Sequence, residues 1–158
     1  MTTEQKQEFT RRITQANSTQ LIIILYDITI TYLNDATKAY EAEDSAGFER
    51  EIIHAGNCIA EMIRNLHFAY APAKELHAIY LSMRKSLREA LTEKKPDSLI
   101  PVIHNLTTLR DAYRQIAPQD TSGPVMGNTQ TVIAGLTYGK NTINENLADE
   151  SSNRGFRV

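Results

Sequence analysis

The chain has 158 residues and a mass of 17.8 kDa, enough for one domain of ordinary size with a tail and too little for two comfortable domains. Hydrophobic residues at 41%, with 7 glycines beside them, bring the apolar share close to the globular norm and exclude wholesale disorder. Lys plus Arg at 17 against Asp plus Glu at 19 leaves a formal net charge of -2, so composition supplies no phosphate-neutralising surface and nucleic acid is not expected as a partner.

In chain order, the stretch Thr2 to Ala16 is polar apart from Phe9, Ile13 and Ala16, which suffices for a short amphipathic segment but not for an independent helix in water. Leu21, Leu25, Ile28, Tyr32, Ala36 and Ala39 then recur at helical spacing along one side of a first long helix. Phe48, Ile52, Ala55, Ile59, Met62, Leu66 and Ala69 form the seam of a second. A third run uses Leu76, Tyr80, Met83, Leu87 and Leu91, and a fourth uses Leu99, Val102, Leu106, Leu109, Tyr113 and Ile116.

Helix-end chemistry marks the breaks: Asp44 and Ser45 suit a cap, Pro72 suits a first turn, and Pro96-Asp97-Ser98 separates the third run from the fourth. Connections are therefore expected near 43–46, 70–73 and 94–98. Such short links favour an all-α, antiparallel up-down-up-down four-helix bundle over residues 18 to 117. Only two glycines, Gly47 and Gly56, precede residue 120, so a boundary is expected near Pro118. Beyond it, a glycine-containing tail carries Val132, Ile133, Leu136 and Tyr138 but too few apolar residues for a core of its own.

The single cysteine, Cys58, allows no intramolecular disulfide, and no cysteine zinc cage can be built from it. The longest apolar run, Leu21 to Tyr26, is far short of a membrane span, and the N-terminus lacks the apolar core of a signal peptide. A soluble cytoplasmic protein is expected, without metal or cofactor. His54, Cys58 and Glu61 share one helical stripe, but a free cysteine beside a core seam reads as packing, and nothing nearby offers an oxyanion hole. No catalytic residues are assigned and no enzyme is expected. A bundle with an exposed histidine also has the outline of a phosphotransfer domain, which makes His54 or His104 the carrier in an alternative reading. The tail sequence Gly135 to Thr142 lacks the glycine spacing of a phosphate loop.

The informative signal is an excess of apolar surface on the first long helix. Ile22, Tyr26, Ile30 and Leu33 form a second stripe beside the seam. Either the core stripe is simply wide, or the surplus meets another bundle helix, the N-terminal segment, the tail or a partner.

The opening Ala16-Asn-Ser-Thr-Gln-Leu-Ile-Ile-Ile-Leu25-Tyr26-Asp27, with Tyr32-Leu33 and Ala36, resembles the start of the FliS family of flagellar secretion chaperones. Ile79-Tyr80-Leu-Ser-Met83-Arg-Lys-Ser-Leu87 is similar to that family's third helix, and Leu106-Thr-Thr-Leu109-Arg110-Asp111-Ala112-Tyr113 to the end of its fourth. The resemblance covers about residues 10 to 117. It implies a cytoplasmic export chaperone that binds the C-terminal disordered region of flagellin through hydrophobic grooves and prevents premature polymerisation before secretion. The export apparatus and other flagellar regulators are the further partners it implies, and the free protein is expected as a monomer or weak homodimer.

The residues assigned to the client are Ile22, Tyr26, Ile30, Leu33, Tyr80 and Met83. The resemblance further implies that the N-terminal segment covers part of this surface in the absence of client, through Phe9 and Ile13. Residues 1–117 then form the chaperone domain, and 118–158 a flexible or docked extension.

Overall fold

A computed structural model describes residues 1–69 and 72–125. Among these residues every regular element is helical: α1 (Thr3–Gln15), α2 (Ser18–Glu41), α3 (Ser45–Arg64), α4 (Ala73–Glu93) and α5 (Leu99–Ile116), followed by one 3-10 turn at Ala117–Gln119. The four long helices lie where the apolar spacing predicts them, except that α3 ends at Arg64: Leu66 and Ala69 of the expected seam lie beyond it, and the connection to α4 begins earlier than the expected 70–73. The tail cluster Val132, Ile133, Leu136 and Tyr138 lies outside the described residues.

Local chemistry sets the helix ends. Thr2 and Asn17 each make a reciprocal capping box, with Gln5 and Gln20 as the respective third residues of α1 and α2. Asp44 caps α3 by accepting from the Gly47 backbone N–H. After α2, Glu43 adopts φ 59°, and the Asp44 N–H reaches back to the Ala39 carbonyl, which closes the helix and reverses the chain within a few residues. Lys94 ends α4 in the same left-handed conformation, at φ 54°. Pro72 stands just before α4 as its N-cap residue, one position earlier than the first-turn placement the sequence suggests.

The core runs between the helices as one cluster. Its largest fully buried side chains include Tyr26, Ile28, Leu33, Ile52, Ile59, Met83, Leu99 and Leu106. α2 is the central element, packed against α1, α3 and α5, while α4 packs against α3 and α5. Side-chain pairs give the sense of two of these packings. Tyr40 meets the Phe48 ring and Tyr32 meets the His54 ring, so α3 runs back along α2. Likewise Thr19 meets Asp120 while Asp27 meets Arg110 and Arg114, so α5 also opposes α2.

This central position explains why α2 is apolar on two sides. The surplus stripe is not left open in the free chain: Tyr26 and Leu33 are each 0% exposed, and Ile22 and Ile30 are half-buried against the core.

Candidate functional site

The N-terminal segment, too weak to be helical alone, becomes a thirteen-residue helix because it docks. Ala16 leaves helical geometry at φ -78°, ψ 137°, and the chain turns back so that α1 lies against α2 in the opposite sense. Three anchors mark its track. Ile13 is 3% exposed and belongs to the core cluster. The Arg12 guanidinium donates to Asp27 Oδ2 at 2.7 Å and lies 5.5 Å from the Phe9 ring centre, and Phe9 itself is half-buried against the core. At the far end the Met1 ammonium meets Asp35 Oδ2 at 2.5 Å.

Asp27 is a junction of three helices. Besides Arg12 of α1 it accepts from Arg110 Nη1 at 3.3 Å and from Arg114 Nη2 at 3.2 Å, both on α5. Asp111 partly balances the arginines by pairing with Arg110 and Arg114. The carboxylate is 12% exposed, so removal of one arginine still leaves it compensated by the others. This makes the Arg12 contact separable: without it Asp27 keeps both arginines of α5.

Beneath this junction three tyrosines from three helices converge. The Tyr26 and Tyr80 hydroxyls are 2.5 Å apart, and the Tyr113 ring centre is 5.8 Å from that of Tyr26 at a tilted angle. Burial pushes all three phenols up from their ordinary range, Tyr80 to about 12. The pair stays neutral at physiological pH and serves as a polar register mark within an apolar core. Single Tyr26→Phe or Tyr80→Phe replacement, which strands the remaining hydroxyl, is expected to cost about 1 to 3 kcal/mol. The double replacement is expected to cost less than the sum of the two, because no orphan remains, and urea melts of the three variants measure the coupling.

The C-terminal side closes the other end of α1. After the 3-10 turn the chain runs back to the α1–α2 junction, where Asn17 Nδ2 donates to the Asp120 carbonyl at 3.1 Å and Thr19 Oγ1 to Asp120 Oδ2 at 2.6 Å. The Val125 N–H then donates to the Ala16 carbonyl at 2.9 Å. Hydrogen bonds from Ser122 and then Thr19 hold the Asp120 carboxyl down at about 2.

The assigned client residues thus divide. Tyr26, Leu33, Tyr80 and Met83 lie inside the cluster, while Ile22 and Ile30 are half-buried at its edge. Tyr26 and Tyr80 meet directly. Of the two cover residues, Ile13 is buried and Phe9 partly so. The stripe of His54, Cys58 and Glu61 is spent on packing and local bonds. Cys58 is 0% exposed, and burial pushes its thiol up to about 12, so no thiolate is available at neutral pH. The His54 ring packs at a tilt against Tyr32, centres 5.0 Å apart, with its pKa lowered by burial. Glu61 pairs with Arg64 and accepts from Asn65.

Sequence reasoning missed the Asp27 junction and the contacts of Asp120. Arg110 and Arg114 stand more than eighty residues from Asp27 and Thr19 stands 101 from Asp120, while Arg12 lies on a different helix from Asp27, so charge spacing along one helix carries no sign of them. One local signal was within reach: Asn17-Ser-Thr-Gln20 is a capping-box pattern, which places a helix break at Asn17.

The described residues thus form an all-helical fold whose central helix is apolar around much of its surface, with its own N-terminal helix docked against it. Residues 1–120 match the family described as flagellar protein FliS, and the chain belongs to this family of flagellar chaperones. The matched region takes in all five helices and reaches Asp120. No curated protein matches the chain. Among the described residues no helix is long and apolar enough to cross a membrane.

Proposed function

We propose that the chain is a cytoplasmic export chaperone that holds the C-terminal disordered segment of flagellin against apolar grooves bordered by α2. It thereby keeps the subunit from polymerising until the export apparatus receives it. The observation that supports this best is α1 itself: an amphipathic helix lying on the most apolar helix of the fold, joined to it by few anchors and by an arginine that can leave without stranding Asp27. A client that forms amphipathic helix on binding offers the same kind of surface as α1 and can take its place.

In this reading α2 to α5 form an up-down-up-down bundle, with residues 1–117 as the chaperone domain and 118–158 as its extension. Ile22 and Ile30 meet the client at the groove edge. Tyr26, Leu33, Tyr80 and Met83 shape the groove from within, and Phe9 and Ile13 depart with α1. The work is done by binding alone, and the carrier is a monomer or weak homodimer that other flagellar regulators can also engage.

Titration calorimetry with a flagellin C-terminal segment, paired with circular dichroism, tests the proposal. Saturable binding with a gain of helix beyond the sum of the separate components is expected, and a segment from flagellin's surface-exposed middle should not bind. Absence of binding by the full chain and by a variant with α1 loosened would refute it.

A further inference from the structure

Apart from the Asn17–Gln20 capping box, nothing in the local sequence dictates the break between α1 and α2. From residue 3 to residue 41 there is neither glycine nor proline, and Ala16, the residue that leaves helical geometry, is the strongest helix former of all. A single helix through residues 15 to 20 would need Gln15 O to accept from Thr19 N–H and Ala16 O to accept from Gln20 N–H. Three of these four groups are otherwise engaged. The Thr19 N–H points to Asp120 Oδ2 at 3.4 Å, the Ala16 carbonyl accepts from Val125 N–H at 2.9 Å, and the Gln20 N–H is taken by Asn17 Oδ1 at 2.9 Å. Asn17 is 5% exposed, and its side-chain amide also donates to the Asp120 carbonyl. The segment after α5 therefore competes for two of the backbone groups that a continuous α1–α2 helix would use, the Thr19 N–H and the Ala16 carbonyl, while Asn17 takes the third.

We propose that residues 118–125 are a latch that holds the α1–α2 hinge broken, and that release of this latch lets the hinge straighten into continuous helix and carries α1 off the face of α2. The latch regulates the same surface assigned to the client, and in this respect rests on the reading of α1 as its cover. Closed and straightened states differ in named hydrogen bonds, written donor to acceptor: Val125 to Ala16 and Thr19 to Asp120 on one side, Thr19 to Gln15 and Gln20 to Ala16 on the other. A factor that draws the C-terminal segment away thus opens the cover from a distance, without touching α1.

Hydrogen exchange of the full chain, free of client, tests this. Asp120→Ala is expected to speed exchange of the α1 amides about tenfold or more while α3 and α4 keep their wild-type rates. Thr19→Val, which removes the hydroxyl partner of Asp120 from the other side, should do the same to a smaller degree. Ser18→Pro added to Asp120→Ala should return α1 exchange toward wild type. Proline suits the first position of α2 and keeps Asn17 in its extended conformation, which blocks straightening.

Unchanged α1 exchange in both latch variants, or an equal rise in every helix, would overturn the latch. Failure of Ser18→Pro to slow exchange would overturn straightening as its mode of opening. The measurement uses no flagellin, so a chain whose α1 loosens as expected but binds no flagellin segment would refute the client and leave the latch standing.

Discussion

Replacing Phe9 and Ile13 together by alanine is expected to raise the apparent affinity for a flagellin C-terminal segment about ten- to a hundredfold. The free chain is held closed, and a partner that needs the open state pays for opening in proportion to how rarely that state occurs. An isolated helix as short as α1 is marginal in water, so its docked state depends on its anchors. Ile13 is the deepest of them at 3% exposed, and Phe9 adds a half-buried ring steadied by Arg12. Loss of most of two such side chains removes about 2 to 4 kcal/mol of apolar burial, enough to shift a two-state cover well toward open. Calorimetric titration reads the affinity, and a thermal melt checks that α2 to α5 remain cooperative. Equal or weaker binding by a folded variant would mean that α1 is part of the client site and not its cover.

The second large effect separates two neighbours on α2 that the sequence groups in one stripe. Tyr26→Asp is expected to unfold the chain or cost more than about 4 kcal/mol. It places a carboxylate where a phenol is 0% exposed, removes the hydroxyl bonded to Tyr80, and breaks the ring contact with Tyr113. Ile30→Asp, one turn further on, acts at a half-buried edge position where the new charge keeps part of its hydration. It is expected to cost about 1 kcal/mol of stability and to weaken client binding tenfold or more. Chemical melts and titrations on the same samples give both quantities. If Ile30→Asp lost stability as Tyr26→Asp does, it would be core and not groove; if it bound client normally, the groove would lie elsewhere.

The Asp27 junction and the tyrosine cluster also explain how one helix can be covered loosely without a loose core. Arg110 and Arg114 tie α5 to α2 independently of Arg12, and the Tyr26–Tyr80 pair ties α4 to α2 from inside. Departure of α1 would therefore take away Arg12, Phe9, Ile13 and the Met1 contact with Asp35 but leave the contacts among the other helices in place. Such partition of contacts gives local opening at a free energy below that of global unfolding.

Helical class, the four long helices and their approximate limits were legible in the sequence, because apolar residues at three- and four-residue spacing and capping residues such as Asp44 act over a few positions. The surplus stripe on α2 was legible too, as was the family, through short runs around Tyr26, Tyr80 and Tyr113. What covers the stripe was decided only by the tertiary structure. Leu33 and Ile30 are both apolar and stand on one helix, yet one is sealed and the other lies at an edge, since burial depends on which neighbours arrive from elsewhere in the chain. The same holds for α1, whose thirteen residues are helical because α2 lies beneath them, whereas the break after it has a local sign in the Asn17–Gln20 capping box. Helical periodicity records the forces within one element; the meeting of Asp120 with Thr19 and of Asp27 with three arginines depends on groups far apart in sequence, and only the folded chain brings them to hydrogen-bonding distance.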